Sequence, residues 1–363
     1  MVVYKNKSHC IKINFALTEN KLFLQLHKPI TLKKILVLPT FLGVLLLSAQ
    51  TGTTVYNFLS IPVSARQVGL GGDAVSLRDY DVAAAALNPS LMNLDMDNRI
   101  SINYASYLAG ADIGTISYVR DLEYGHLISG HARYMNYGKM PRTDEFGQTS
   151  GEFSASDASI GVGYAYQFDE EWTIGGNIDY VTSKIDTYSS MAIAGTGAIT
   201  WHRIKTKETA TLVARNFGYQ FKTFNGNLER LPFRIDLGYT RIFENFPIAV
   251  TVTAHDLQKF DISQPYNNNG QPVRTTRKIA DHFSFGAELF PEQAFNIRLG
   301  YNVRRGNELA VLDQRSFTGL SAGFGIKISS FRFDYSHARY HNASNMNMFG
   351  MMLDLTELGG KRR

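Results

Sequence analysis

The chain has 363 residues and a single cysteine, Cys10, close to its N-terminus. One cysteine cannot form an internal disulfide, and it cannot supply the several thiolates of a structural zinc site. If residues 1–49 are removed, as argued below, no thiol remains, which also excludes a cysteine nucleophile. We therefore expect no function that depends on cysteine chemistry.

An excess of charge of one sign is also missing. The formal net charge is +5, but residues 1–49 contain several lysines and only one acid, Glu19. The rest of the chain is close to neutral, so it lacks the basic excess that nucleic-acid binding requires. We expect no nucleic-acid partner.

Long apolar runs are scarce, and the clearest one extends from Ile35 to Leu47, directly after Lys33 and Lys34. A basic segment, an apolar segment of about 7–15 residues and a small residue at the cut describe a secretory signal peptide. The run is shorter than the roughly 20 apolar residues of a membrane-spanning helix. We expect cleavage after Ala49, and no later segment is apolar enough for a helical membrane protein.

What the chain does have is alternation. In residues 295–303, Phe, Ile, Leu, Tyr and Val occupy the odd positions, and Asn, Arg, Gly and Asn occupy the even ones. Successive side chains of a strand point to opposite faces, so one face is apolar and the other polar. Repeated about fourteen times behind a secretion signal, the pattern predicts an all-β, 14-stranded antiparallel transmembrane β-barrel in the outer membrane.

Three segments follow from this interpretation: an N-terminal extension with signal peptide (1–49), an N-terminal hatch (50–97) and the barrel (98–363). The predicted strands are 98–107, 111–121, 124–136, 157–168, 172–185, 188–201, 208–224, 231–243, 246–257, 279–290, 294–304, 316–328, 331–341 and 347–357. Junctions after strands 2, 4, 8, 10 and 12 are tight, whereas those at 137–156, 258–278 and 305–315 are long; two other odd-numbered junctions, near Ala109 and Asp186, are short. Short turns face the periplasm and long loops face outward, so both chain ends lie in the periplasm.

Several charged residues fall on positions that face the predicted lumen. They either line a permeation path or pair with each other inside a narrow polar barrel, and the balance of acids and bases favours pairing. The set comprises Asp179, Arg234, Asp236, Glu288, Arg298, Arg332 and Asp334.

The segment before the barrel breaks the alternation. Gly71 and Gly72 permit a tight turn, residues 79–87 favour a short Ala-rich helix that begins near Asp79 or Asp81, and Asn88-Pro89 ends it. These elements resemble the N-terminal hatch of the fourteen-stranded FadL-like barrels. Four stretches of this segment resemble, more specifically, the PorQ family of the Bacteroidota type IX secretion system. They are Tyr56-Asn-Phe-Leu, Ile61-Pro-Val-Ser-Ala-Arg66, Leu70-Gly-Gly72 and Leu87-Asn-Pro-Ser-Leu91.

This resemblance implies a structural role in an attachment complex. Barrels of that family hold a PorZ-like surface protein, together with PorU- and PorV-like components. The complex joins secreted cargo to anionic lipopolysaccharide, and the PorU-like sortase performs the chemistry. The resemblance therefore implies contacts with outer-membrane lipid and lipopolysaccharide and a barrel that is not itself an enzyme.

The residues themselves also favour a barrel that is not an enzyme, because no catalytic arrangement and no cofactor site stands out. There is neither a Gly-x-Ser-x-Gly elbow nor a His-Glu-x-x-His motif. The best contact surface is the long outer loop around 259–278, and its candidate partner-binding residues are Tyr266, Arg274, Arg277 and Lys278. A merely soluble loop is the simpler alternative.

Two other functions stay open. A FadL-like transporter of hydrophobic small molecules needs an apolar binding pocket, and the charged lumen positions and the lack of an apolar inner stripe argue against it. A PorV-like cargo shuttle would share the fold and the compartment.

Overall fold

The computed structural model describes residues 54–107, 110–266, 270–308, 318–341 and 344–358. The predicted signal peptide and its cleavage point after Ala49 lie outside these ranges. The hatch is described from Thr54 onward.

The strands close into a single antiparallel barrel in which each strand pairs with its sequence neighbours and the first pairs with the last. This confirms the predicted fold class. The strands are β1 Arg99–Ser106, β2 Asp112–Asp121, β3 His126–Thr143, β4 Thr149–Gln167, β5 Trp172–Ile185, β6 Tyr188–Arg203, β7 Glu208–Lys222, β8 Arg234–Phe243, β9 Ile248–Ala254, β10 Phe283–Leu289, β11 Phe295–Asn302, β12 Leu320–Ile328, β13 Phe331–His341 and β14 Ser344–Asp354.

The alternation seen in the sequence separates the two faces of the wall. Along β11, Phe295, Ile297, Leu299 and Tyr301 are exposed on the outside, and the residues between them are buried inside. Closure pairs the backbone groups of the wall, which is the condition for crossing a hydrocarbon layer with strands. The apolar outer face is therefore the lipid-facing surface.

The described helices are short and are not part of the barrel wall. The α-helices are Ala65–Gly69, Thr275–Ala280, Val303–Glu308 and Leu355–Leu358, and the 3₁₀ turns are Asn57–Ser60, Val82–Ala86, Pro89–Leu91, Leu94–Met96 and Ile204–Thr206. Among the described residues, no helix has the length and apolar character that crossing a membrane requires.

One predicted outer loop proves to be a hairpin. Residues 137–156 were expected to be irregular, but β3 and β4 continue through them to a turn at 144–148, with pairs such as Met140 with Phe153. Asp144 accepts backbone hydrogen bonds from Phe146 and Gln148 at 3.0 and 2.8 Å. The prediction was wrong because hairpin pairing outside the membrane needs no apolar face, so its residues show no alternation.

Two strand ends were also misplaced. The predicted strand 279–290 begins only at Phe283, because residues 275–280 form a helix. The predicted strand 347–357 ends at Asp354 and is followed by the helix Leu355–Leu358.

Residues 54–97, here called the plug, run through the barrel interior. The helix Ala65–Gly69 contacts β11 to β14, whereas the 3₁₀ turns at 82–86 and 89–91 contact strands from β1 to β6. The predicted Ala-rich helix is a 3₁₀ turn over Val82–Ala86, capped by the Asp81 side chain at the Ala83 amide. Asn88 then caps the next turn, Pro89–Leu91. Asn88-Pro89 therefore follows the first turn and also begins a second one.

The assignment of the lipid-facing surface predicts a position-dependent cost of charge. Leu299→Arg places a cation in the middle of β11, where the side chain is 58% exposed, and should lower the free energy of unfolding by about 2–4 kcal/mol. Phe146→Arg is the matched control, because Phe146 is 87% exposed on the hairpin beyond the barrel. Guanidinium unfolding from lipid vesicles measures both, and equal stabilities would contradict the assignment.

Candidate functional site

The candidate site is the lumen, where the plug meets the inner wall. Following the sequence-based orientation, the end of the barrel at Arg99 and Asp354 is called the periplasmic end, and the end at Ser106 and Asn347 is called the outer end. The two ends differ in chemistry, and the plug is held differently at each.

A chain of buried ion pairs joins the plug to β10, β11 and β13. Arg66 of the plug donates to Glu288 at 2.6 Å and to Asp79 at 2.5 Å. Glu288 also accepts from Arg298 at 2.9 Å, and Arg298 lies 2.7 Å from Asp334. Because Arg66, Glu288 and Arg298 are buried, removing a partner of any of them would leave a buried charge uncompensated, which is strongly destabilising. The chain therefore fixes the plug in register with the wall.

The pKa values of two plug carboxylates, Asp79 and Asp81, are shifted in opposite directions. Burial alone would raise the pKa of Asp79, but the Arg66 guanidinium outweighs it, and the pKa of Asp79 is lowered. Burial raises the pKa of Asp81, which accepts from the Ser64 hydroxyl at 3.0 Å and lies near other acids. Two acids two residues apart thus have opposite preferences for the charged form.

A second charged cluster holds the plug nearer the outer end. Asp73 accepts from Arg234 of β8 at 2.8 Å and from Asn302 of β11 at 2.8 Å. Arg234 also donates to Asp236, which pairs with Arg215 of β7. Burial would raise the pKa of Asp73, but the charges of Arg234, His255 and Arg305 hold it well below its usual range.

The charged residues predicted for the lumen are thus paired. The pairs described above account for all but Arg332 and Asp179; Arg332 lies 3.2 Å from Asp334, and Asp179 lies 2.8 Å from His131 Nε2. The pairing interpretation is confirmed. These charges connect the plug to the wall, so they do not form an open row of sites through the lumen.

The predicted hatch residues occupy tight positions. Gly71 and Gly72 have φ angles of 97° and 91°, which favour glycine, and a Cβ on Gly71 would lie 3.1 Å from the Phe285 carbonyl. Asn88 donates to the Val75 carbonyl and to Thr211 at 2.8 and 2.9 Å. Pro89 packs over Gly175 of β5, where a Cβ would lie 3.0 Å from the Pro89 side chain.

Part of the inner wall of the outer half is apolar, which the sequence analysis missed. Its buried side chains pack around four plug residues, Tyr56, Phe58, Leu59 and Ile61. The wall residues are Ala105, Ile113, Met135, Val181, Ala192, Ala194, Ala338, Met346 and Met348. The available signal was strand β14, where both alternating sets are apolar: Met346, Met348 and Met352 inside, Phe349 and Met351 outside. The sequence analysis expected no apolar stripe inside the barrel, and this expectation was wrong for this half of the lumen.

The start of the plug, residues 54–61, is attached by hydrogen bonds and apolar packing. The Val55 amide donates to the Arg230 carbonyl at 2.9 Å, and Tyr56 is hydrogen-bonded to Ser190. Arg133 donates to the Leu59 carbonyl at 3.0 Å. These contacts include no ion pair comparable with that of Arg66, so this part of the plug is held chiefly by apolar packing.

The candidate partner-binding residues lie on the long outer connection between β9 and β10. Tyr266 is 60% exposed, and Arg274 is exposed at the start of the helix Thr275–Ala280. Arg277 donates to the Asn307 carbonyl at 3.1 Å, and Lys278 pairs with Asp261. The structure places the four in one connection, where the last two also stabilise the loop itself.

Within the parts of the chain that the structure describes, no three or more His, Cys, Asp or Glu side chains are grouped so that they could hold a metal ion.

Comparison with solved structures finds proteins that share this fold. The CymD monoaromatic hydrocarbon channel matches with a TM-score of 0.50 and 12% identity, over 83% of this chain and 97% of that one. A deltaS2S3 mutant of the TodX monoaromatic hydrocarbon channel matches with a TM-score of 0.50 and 11% identity, over 80% and 97%. The Pseudomonas putida toluene transporter TodX matches with a TM-score of 0.47 and 12% identity, over 83% and 98%.

At such identities these likenesses show the fold alone. The chain has the fold of the FadL-like, 14-stranded outer-membrane channels, and this fold supports a location in the outer membrane. No protein-family model matches the chain, and none of the curated proteins compared with it matches either.

The opposite pKa shifts of Asp79 and Asp81 can be tested by substitution. Asp79→Asn should destabilise the protein at neutral pH, and the loss should shrink as the pH falls below about 4, because a lowered pKa contributes stability only above the unfolded value. Asp81→Asn should stabilise the protein at neutral pH, because a raised pKa favours the neutral form, and this gain should vanish in acid. Guanidinium unfolding between pH 3 and 8 measures both variants. Parallel pH profiles would contradict the assignment.

Proposed function

We propose that this protein passes small hydrophobic molecules across the outer membrane, and that the start of the plug must move for passage. The observation that carries the proposal is the apolar part of the inner wall of the outer half, now covered by Tyr56, Phe58, Leu59 and Ile61. An apolar pocket with few polar groups is the usual character of a site for small hydrophobic ligands. The fold shared with channels for monoaromatic hydrocarbons supports the same function.

The attachment of the plug suggests which part moves. Residues 54–61 make the hydrogen bonds described above, one of which has the charged donor Arg133, whereas Arg66 and Asp73 are held in buried ion pairs. Displacing the first part would uncover apolar wall and take the Leu59 carbonyl away from Arg133, but it would break none of the ion pairs described above, and so costs less than moving the whole plug. We therefore propose a gate at residues 54–61 and a fixed anchor from Arg66 onward.

Phe58→Ala tests this gate. The side chain is 1% exposed, so its loss should remove roughly 3–5 kcal/mol of packing and favour the displaced plug. Uptake of toluene by vesicles containing the barrel should rise by at least about tenfold, since each 1.4 kcal/mol is a factor of ten. Phe285→Ala is the matched control, because that ring faces lipid on β10. Wild-type vesicles no more permeable than empty ones, together with an inert Phe58→Ala, would exclude the proposal.

A second candidate function is the structural one that the sequence resemblance implies. In this proposal the barrel is not an enzyme and anchors a PorZ-like surface partner, near PorU- and PorV-like components and lipopolysaccharide. The supporting observations are the hairpin that β3 and β4 extend beyond the barrel and the exposed Tyr266 and Arg274 on the long outer connection. Aromatic and arginine side chains commonly supply the anchors of such interfaces.

Replacing Tyr266, Arg274 and Arg277 together with Ala should leave the barrel inserted and release the surface partner. Co-purification of a PorZ-like protein from outer membranes is the measurement, with Tyr124→Ala as the control, since Tyr124 is 90% exposed at the opposite end. Unchanged co-purification of the partner with the triple variant would contradict this function. A rise in toluene uptake in Phe58→Ala alone would favour the first.

We also propose that the signal peptide is removed after Ala49, so that the mature protein begins at Gln50. N-terminal sequencing of protein taken from outer membranes tests this directly, and a mature protein that starts elsewhere would exclude it.

A further inference from the structure

The side chain of Tyr56 joins the gate to the inner wall through both its ring and its hydroxyl. The residue is buried, and its hydroxyl is hydrogen-bonded to that of Ser190, near the outer end of β6. It packs in the apolar cluster that includes Val181 of β5 and the small residues Ala192 and Ala194 of β6. One residue of the plug therefore places an aromatic ring and a hydroxyl together against the wall.

The hydrogen bonds of Ser190 determine which kind of group can replace this phenol. Its Oγ donates to the Lys222 carbonyl at 2.8 Å and accepts from Gln220 Nε2 at 2.7 Å. A hydroxyl has one proton and two acceptor positions, so the proton of Ser190 is already used and one acceptor position is left. Tyr56 fills that position as a donor. A replacement for the phenol must therefore be a donor as well.

Gln220 holds this arrangement in place. Its Oε1 accepts from the Glu229 amide at 2.8 Å, which orients Nε2 towards Ser190. Ser190 and Gln220 are both buried. Because a buried acceptor without a donor costs free energy, an aromatic hydrocarbon suits the position of the Tyr56 side chain less well than a phenol does.

The backbone of Tyr56 is strained. Its φ and ψ angles are 60° and 38°, in the left-handed region that costs free energy for a residue with a side chain. The contacts of the ring and of the hydroxyl hold the residue in this conformation. A free molecule with the same ring and hydroxyl gains those contacts without the strain, so it competes with Tyr56 for the site.

The hydroxyl of an occupant keeps its proton in this site. Burial raises the pKa of the Tyr56 phenol, although the side chains of Ser190 and Gln220 oppose the effect. The negative charges of Asp157 and Glu229 raise the pKa further. The site therefore suits a neutral phenol, which is the form that donates a hydrogen bond.

We propose that the site now filled by the Tyr56 side chain binds a small phenol, whose ring packs against the apolar wall and whose hydroxyl donates to Ser190 Oγ. For its part in transport this site rests on the proposed function, because in the wild type it becomes free only when residues 54–61 move. It narrows the class of transported small hydrophobic molecules to phenols.

The test empties the site and offers it the missing atoms. Tyr56→Gly removes a side chain that differs from p-cresol by one hydrogen, and glycine adopts the left-handed backbone without strain. Calorimetric titration of the full-length variant in a non-ionic detergent compares p-cresol with 4-methylanisole, which is larger, and toluene, which is smaller. Of the three, p-cresol alone has a donor, so it should bind at least about fivefold more tightly, the usual effect of one neutral hydrogen bond. Equal binding of the three would overturn the proposal.

Tyr124→Gly is the matched control. Tyr124 also has a left-handed backbone, with a φ of 52°, but it is exposed, so its loss leaves no cavity. This variant should show only the heat of partition of the probes into detergent. Binding of p-cresol as tight as in Tyr56→Gly would overturn the proposal.

Ser190→Ala, added to Tyr56→Gly, tests the acceptor. It should weaken the binding of p-cresol about fivefold and leave that of toluene unchanged. If Tyr56→Gly does not fold, Ser190→Ala alone is compared with the wild type by uptake into vesicles, with barrel-free vesicles as the background. The ratio of p-cresol to toluene uptake should then fall about fivefold. An unchanged affinity or an unchanged ratio would overturn the proposal.

The two measurements separate the phenol site from the proposed passage. Uptake of toluene by the wild type, without a preference for p-cresol in Tyr56→Gly, would exclude the phenol site and leave the proposed function intact. A preference for p-cresol in Tyr56→Gly, with wild-type vesicles no more permeable than empty ones, would support the phenol site and exclude the passage.

Discussion

The structure depends on the burial of Arg66 between Glu288 and Asp79. A guanidinium keeps its charge, so burying it to 2% exposure without partners would strongly destabilise the fold, and the partners of Arg66 come from two sides, the wall and the plug. Glu288 is in turn held by Arg298, which reaches Asp334. This chain turns a segment of short 3₁₀ turns into a fixed part of the barrel interior, and it sets the level at which the rest of the plug lies.

The barrel wall is subject to a different constraint, because it must cross the hydrocarbon layer. Its backbone groups pair strand to strand, so the chain can cross hydrocarbon, and its outer face is apolar because that face contacts lipid. A ring of fourteen strands is wider than its own inward side chains fill, as the trend of barrel diameter with strand number indicates. The plug supplies the missing contacts, polar at the periplasmic half of β10 to β13 and apolar around Phe58.

Within one segment, this division distinguishes the part held by ion pairs from the part that we propose to act as a gate. From Arg66 onward the plug is tied by buried charges, and a shift there would separate ions in a poorly hydrated interior. Before Arg66 it is tied by packing and a few hydrogen bonds, one of which has the charged donor Arg133. In the proposed function, the part before Arg66 is therefore the part that moves.

The sequence by itself determined the barrel, its strand number and the direction of its faces, because the two-residue period of a strand is local and β11 carries it plainly. It also identified the lumen charges and the turn at Gly71 and Gly72. Only the tertiary structure decided which charge pairs with which, since Arg66 and Glu288 are 222 residues apart. It also revealed the hairpin at 137–156 and the apolar wall around Phe58, because pairing outside the membrane needs no alternation and an inner apolar patch is formed by single residues from many strands.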